Sequence, residues 1–249
     1  MSESDTSSPI QVRDLHKSFG AQTVLNGVSL NVPEGQTFAV MGRSGTGKSV
    51  LLKLLIGLLA PDAGSVTIRG AEINARDRDQ LNATRKKIGF LFQQAALYDS
   101  LTLEENVIFP MSRHTSLPQN EQQQRARQLL SELGMERDFD KLPSEISGGM
   151  QKRVGLARAL ALDPEFLLFD EPTAGLDPIT SAEIAKLIVE LKEKRHMTSV
   201  VVTHDVPTVR SIADHVVLLN EGKIQAEGGF TDLKQSSDPM VNQFLKECT

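Results

Sequence analysis

Thr37-Phe-Ala-Val-Met41 followed by Gly42-Arg43-Ser44-Gly45-Thr46-Gly47-Lys48-Ser49 decides how this chain folds. The first five residues are compact and almost wholly apolar, as a buried strand requires. The next eight match G-x-x-x-x-G-K-[ST], placed after a strand and before an apolar helix that begins near Lys48 and reaches about Leu59. Glycines let backbone wrap closely around phosphate groups and present N–H donors to them. The helix N-terminus adds the positive end of its dipole. In such a loop Lys48 reaches the β- and γ-phosphates of a nucleotide and Ser49 coordinates Mg²⁺.

A second apolar run, Phe166-Leu-Leu-Phe-Asp170-Glu171, ends in two carboxylates. Doubly wound sheets bind ligands at the carboxyl ends of their strands. Asp170 is therefore expected to face the Mg²⁺ of a bound nucleotide, and Glu171 to polarise the attacking water. Ile146-Ser147-Gly148-Gly149-Met150 opens a helix that runs to about Ala161, with Ser147 as a plausible N-cap and a second anion site at the helix start. Gln93 and His204 each end an apolar run as polar strand termini. His16, His114, His196 and His215 show no metal-ligand spacing and read as surface residues.

Outward from these motifs, Ile10 to Leu15 and Val24 to Val32 read as strands broken by Phe19-Gly20 and Pro33-Glu34-Gly35. Further strands are expected at Ser65 to Ile73, Ile88 to Phe92, Ser199 to Thr203 and Val216 to Leu219, with Lys223 to Ala226 pairing back on the last. A helix is expected from Ile179 to Lys194. Ala126, Leu129, Leu130 and Leu133 form one apolar stripe ended by Gly134. The pattern is an α/β core with a mostly parallel sheet, a small antiparallel sheet from the first strands, and a helical subdomain inserted over about 94–161. The expected organisation is a disordered tail over 1–9, one domain over 10–230 and a short extension over 231–249.

Composition narrows the options. The chain has 249 residues, a net charge of −5 and a single cysteine, Cys248, so no intrachain disulfide can form. Net negative charge argues against a nucleic-acid binder. The polar start lacks a signal-peptide pattern, and no run approaches the length of a membrane span.

In order, the chain carries Gly42 to Ser49, Gln93, Ser147-Gly148-Gly149, Asp170-Glu171, Ala174-Gly175-Leu176-Asp177 and His204. This set resembles the ABC (ATP-binding cassette) ATPases over nearly the whole chain. The resemblance implies a P-loop ATPase that binds ATP and Mg²⁺. Residues 42–50, Val50 included, would cradle the phosphates, and Phe19 would stack on adenine. Ser49, Gln93 and Asp170 would serve the metal, with Glu171, His204, Lys48 and Gln93 in catalysis. Ser147, Gly148 and Gly149 would touch the γ-phosphate held by a second copy, and Asp177 would lie in the loop that crosses between copies. Ile-Ser-Gly-Gly-Met stands where Leu-Ser-Gly-Gly-Gln is commonest, and Phe19 where Tyr is usual; both departures keep the needed chemistry.

A finer resemblance is carried by Gly42 to Val50, Phe92-Gln93-Gln-Ala-Ala-Leu-Tyr98, Ser147 to Met150, Asp177-Pro-Ile-Thr180 and His204-Asp-Val-Pro207. These look like the ATPases of Mla-type phospholipid transporters. That implies a homodimer on the cytoplasmic face of the inner membrane, an integral-membrane permease, and an MCE-domain lipid-binding protein as partners. Other ABC transporters and the iron–sulfur assembly ATPases are rival readings within the fold.

Overall fold

The computed structural model describes residues 8–74 and 77–247. Most of the expected N-terminal tail, and Cys248, lie outside the described residues.

Four strands form an antiparallel sheet: β1 (Ile10–Phe19), β2 (Gln22–Val32), β4 (Ala63–Ile68) and β5 (Ala71–Glu72), in the order β2-β1-β4-β5. Six form the main sheet: β3 (Thr37–Met41), β6 (Ile88–Leu91), β7 (Phe166–Asp170), β8 (Thr198–Thr203), β9 (His215–Asn220) and β10 (Lys223–Gly228), in the order β10-β9-β3-β8-β7-β6. All neighbours in the main sheet are parallel except β9 and β10. Every residue of β3, β7 and β8 is buried, as expected of central strands covered on both faces. β10 alternates exposed and half-buried residues, the pattern of an edge strand.

Helix α1 (Lys48–Leu55) packs Leu51, Leu52, Leu54 and Leu55 into a core shared by the two sheets. A short polar helix, α2 (Arg78–Lys86), follows the hairpin of β4 and β5. A helical block contains α3 (Leu103–His114), α4 (Gln119–Glu132) and α5 (Gly148–Leu160), and Gln94 to Leu101 form turns leading into it. The stripe of Ala126, Leu129, Leu130 and Leu133 is buried there against Val107, Met111 and Val154. α6 (Pro178–Arg195) and α7 (Val206–Ile212) cover the same side of the sheet. The last helices, α8 (Phe230–Lys234) and α9 (Pro239–Glu247), place Leu233, Val241 and Phe244 on Ala39, Met41, Val216 and Leu218. The C-terminal segment thus completes the cover of the main sheet.

Several boundaries differ from expectation. β1 continues four residues past Leu15 because a bulge at Asp14, with φ of 45°, absorbs the break in its pattern. The run from Ser65 to Ile73 is a hairpin, turning at Arg69 (φ 50°) and Gly70 (φ 77°). The apolar helix stops at Leu55, and Gly57 turns the chain with φ of 63°. His215 is half-buried rather than superficial, stacked on Phe38 at 5.0 Å and bonded to Glu227 at 3.0 Å.

α5 lies tightly on β6 at Gly89. A Cβ there would meet the Ala159 carbonyl oxygen at 2.5 Å and Leu167 Cδ2 at 2.7 Å. Gly89→Ala should therefore force α5 off the sheet and cost about 1–3 kcal/mol of stability. A denaturant midpoint equal to that of the unmodified chain would contradict this packing.

Candidate active site

Parallel register brings four strand ends to one edge of the main sheet. Met41 stands beside Thr203, Asp170 beside Val202, and Leu91 beside Phe169. The residues that follow these ends are Gly42, His204, Glu171 and, two residues past Leu91, Gln93. Positions scattered over the sequence therefore share one crevice, where such sheets bind ligands.

The phosphate loop joins β3 to α1. Gly47 caps α1 with φ of 100°, a left-handed conformation suited to glycine. A Cβ at Gly47 would also lie 2.9 Å from Val24 Cγ1, and one at Gly42 only 2.5 Å from the Leu219 carbonyl oxygen. The loop is thus seated on β2 and β9, while Arg43, Ser44 and Gly45 are exposed. The Lys48 ammonium donates to the Gly42 carbonyl at 2.7 Å and to that of Arg43 at 3.0 Å. It also lies 3.6 Å from Glu171 Oε1.

Ser49 Oγ donates to Asp170 Oδ1 at 2.8 Å. Burial raises the Asp170 carboxyl above its ordinary range, the Ser49 hydroxyl pulls it back down, and the nearby Glu171 adds to the rise. A hydroxyl and a carboxylate side by side are hard oxygen donors of the kind Mg²⁺ takes together with substrate phosphates. Among the described residues, no group of three or more His, Cys, Asp or Glu could hold a metal alone. The donor set therefore fits a metal that arrives with a phosphate ligand.

Glu171 is buried with φ of 47°, unusual for a non-glycine residue. Its backbone N–H donates to the Val202 carbonyl at 2.9 Å. Its Oε2 accepts from Thr203 Oγ1 at 2.8 Å, and both its oxygens lie 3.0 Å from His204 Nδ1. Thr203 carries no signal in the sequence, since a threonine at a strand end is ordinary, yet it fixes one carboxylate oxygen. Beside Glu171 and His204 opens a cleft of about 650 Å³, lined also by Leu176, Asp205 and Thr208.

Lys48, Ser49, Asp170, Glu171 and His204 form one connected group. Gln93 joins it through its backbone, whose carbonyl accepts from Lys152 Nζ at 2.5 Å, while its side chain is exposed. The other residues expected at the site stand apart from this hydrogen-bonded group. Phe19 is 47% exposed at the end of β1, with the Lys17 ammonium 5.5 Å from its ring centroid. Ser147 caps α5, its Oγ accepting from the Met150 N–H at 3.3 Å, and both Ser147 and Gly148 are exposed. Asp177 caps α6 through the N–H groups of Ile179 and Thr180 at 3.0 and 3.1 Å.

The "ABC transporter" family model matches residues 25–174. The phospholipid transport ATP-binding protein MlaF of Escherichia coli (strain K12) is 41% identical over 243 residues, 98% of this chain and 90% of that protein. The probable ribonucleotide transport ATP-binding protein mkl of Mycobacterium leprae is 41% identical over 236 residues, 95% of this chain and 68% of that one. A solved dimeric ATP-binding cassette in a post-hydrolysis state, bound to ADP and Pi, superimposes with a TM-score of 0.81 at 35% identity, covering 89% of this chain and 98% of that one. A phosphate loop facing a strand-end carboxylate pair, in a cassette fold with relatives along almost its full length, places the chain in the ABC transporter family as an ATP-hydrolysing, ATP-binding subunit.

Proposed function

We propose that this subunit drives phospholipid movement between bacterial membranes, working as a homodimer beneath an integral-membrane permease with an MCE-domain protein as further partner. The observation that carries this reading is the 41% identity to MlaF over 98% of the chain. No helix among the described residues is long and apolar enough to cross a membrane, which agrees with a peripheral subunit on the cytoplasmic face of the inner membrane.

The proposed chemistry uses the chain's own groups in sequence. Backbone N–H groups from Gly42 to Val50 and the ammonium of Lys48 hold the β- and γ-phosphates of ATP. Phe19 stacks on the base. Mg²⁺ bound with the nucleotide would neutralise charge on the phosphate oxygens, held by Ser49 and Asp170 with Gln93. Glu171 accepts a proton from water as the water oxygen bonds to the γ-phosphorus and the bond to the β-phosphate oxygen breaks, leaving ADP and phosphate. Thr203 and His204 keep that carboxylate aimed, and His204 orients the γ-phosphate. Ser147, Gly148 and Gly149 act on the nucleotide of the second copy, and Asp177 lies in the loop between the copies. The exposure of Ser147 and Gly148 at the start of α5 supports that assignment.

A groove of about 390 Å³ supports the site of permease docking. It is lined by Phe90, Phe92, Tyr98, Phe109, Pro110 and Arg158, just beyond Gln93. Phe92 and Tyr98 are 37% and 45% exposed, so an apolar segment of the membrane partner can bury them.

Glu171→Gln should keep ATP binding while turnover falls about 10²–10⁴-fold, read from phosphate release beside equilibrium binding; full turnover would remove Glu171 from its role. Tyr98→Asp should lower recovery of the permease from detergent-solubilised membranes. Undiminished recovery would move the docking site elsewhere. The cargo is tested by purifying tagged Glu171→Gln protein from its host membranes. Co-purification of a permease, an MCE-domain protein and phospholipid is the expected result. A permease that takes ribonucleotides, the cargo in the name of the mycobacterial relative, would overturn the choice of cargo.

A further inference from the structure

One buried cation in the active-site region is absent from every motif discussed above. Lys152 stands on α5, five residues after Ser147, and is 4% exposed. Its ammonium donates to the Gln93 carbonyl at 2.5 Å and to the Glu171 carbonyl at 3.1 Å. The two acceptors lie at the ends of adjacent strands, β6 and β7. Glu171 is the residue whose left-handed backbone turns its carboxylate toward His204 and Lys48. The Ala174 N–H also donates to that carbonyl, at 3.2 Å, so Lys152 completes the fixing of this peptide.

The same face of α5 grips the next residues of the chain. Lys152, Gly155 and Arg158 are spaced three apart and share one side of the helix. A Cβ on Gly155 would meet Leu91 Cδ1 at 2.8 Å and the Ala95 Cβ at 3.2 Å. Arg158 donates to the carbonyls of Ala95 and Ala96 at 2.6 and 2.7 Å, and both alanines have left-handed backbones, φ 56° and 50°. A rigid helix thus carries Ser147 at its start and fixes residues 93–96 along its side. Lys152, on that face, also holds Glu171. Burial in this position pulls the Lys152 ammonium down to about 8, with Asp170 and Glu171 opposing the fall.

We propose that Lys152 is a positioning residue for ATP hydrolysis: it locks the Glu171 peptide to the Gln93 strand end, so that the carboxylate is aimed only while α5 and residues 93–96 sit in register. The inference rests on the proposed role of Glu171. It acts on rate rather than on affinity, because neither of its hydrogen bonds involves a group that holds the phosphates.

The test compares Lys152→Met, which keeps length and removes both hydrogen bonds, with Lys152→Arg, which keeps the charge and N–H groups. Melting temperature and ADP affinity establish that each variant is folded. In Lys152→Met, kcat should fall about 100-fold, the scale of a 1 Å misplacement at a reacting group. KM for ATP and the affinity for ADP should stay close to their original values, and Lys152→Arg should recover most of the lost turnover. Should Lys152→Met not fold, Lys152→Gln, whose shorter amide cannot span both carbonyls, carries the same expectation. A folded variant with undiminished kcat would overturn the proposal. So would loss of ADP affinity in proportion to turnover, or no recovery with arginine. Glu171→Gln assayed alongside separates the two layers: full activity there removes the role of Glu171 and this inference with it. An inactive Glu171→Gln beside a fully active Lys152→Met removes the inference alone.

Discussion

Two adjacent buried carboxylates, Asp170 and Glu171, set the terms for everything around them. Each ion costs several kcal/mol to withdraw from water unless hydrogen bonds and opposite charge compensate. The fold supplies that compensation from three elements and one loop residue. The start of α1 gives Lys48 and Ser49, β8 gives Thr203, the residue after it gives His204, and α5 gives the charge of Lys152. None of these can move far without stranding a charge. The interactions that hold these buried charges together are thus the ones that the proposed hydrolysis would use.

The parallel sheet makes this economy possible. Because β3, β6, β7 and β8 run the same way in register, residues far apart in the chain arrive at one edge without any long connection crossing the site. The helices then divide the work. α1 starts at the end of the glycine-rich loop and points its N-terminus to it. α5 leaves its own N-terminus exposed at Ser147 and secures the sheet edge with its flank. That division suits the proposed homodimer, in which each copy would complete the other's site.

Much of this could be read from the chain before any coordinates. The strand, glycine loop and helix around Lys48, and the apolar run into Asp170 and Glu171, are local patterns with a local cause. What was not legible was either weakly patterned or non-local. α2 buries little beyond Leu81 and Thr84, so its sequence has no apolar stripe, and only the Asp77 cap marks its start. The continuation of β1 depends on a bulge at Asp14 that its sequence does not announce. The turn at Gly57, which ends α1 early, has apolar residues on both sides, Leu54-Leu55-Ile56 before it and Leu58-Leu59 after it, so the apolar pattern runs on past the helix. Lys152 is the clearest case. A lysine in a helix is ordinarily solvated, and nothing near it in sequence reveals acceptors 59 and 19 residues away.

The left-handed backbone at Glu171 sets a conflict that reaches beyond chemistry. A residue with a Cβ in that conformation holds the peptide at a cost on the order of 1 kcal/mol or more, and glycine would remove it. Glycine would also remove the carboxylate that Thr203, His204 and the buried Lys48 ammonium face, and a buried charge left without its partner costs about 3–5 kcal/mol, more than the strain. The strained backbone at 171 is therefore kept in place by the charges around it, and positions 48 and 171 are bound to change together or not at all.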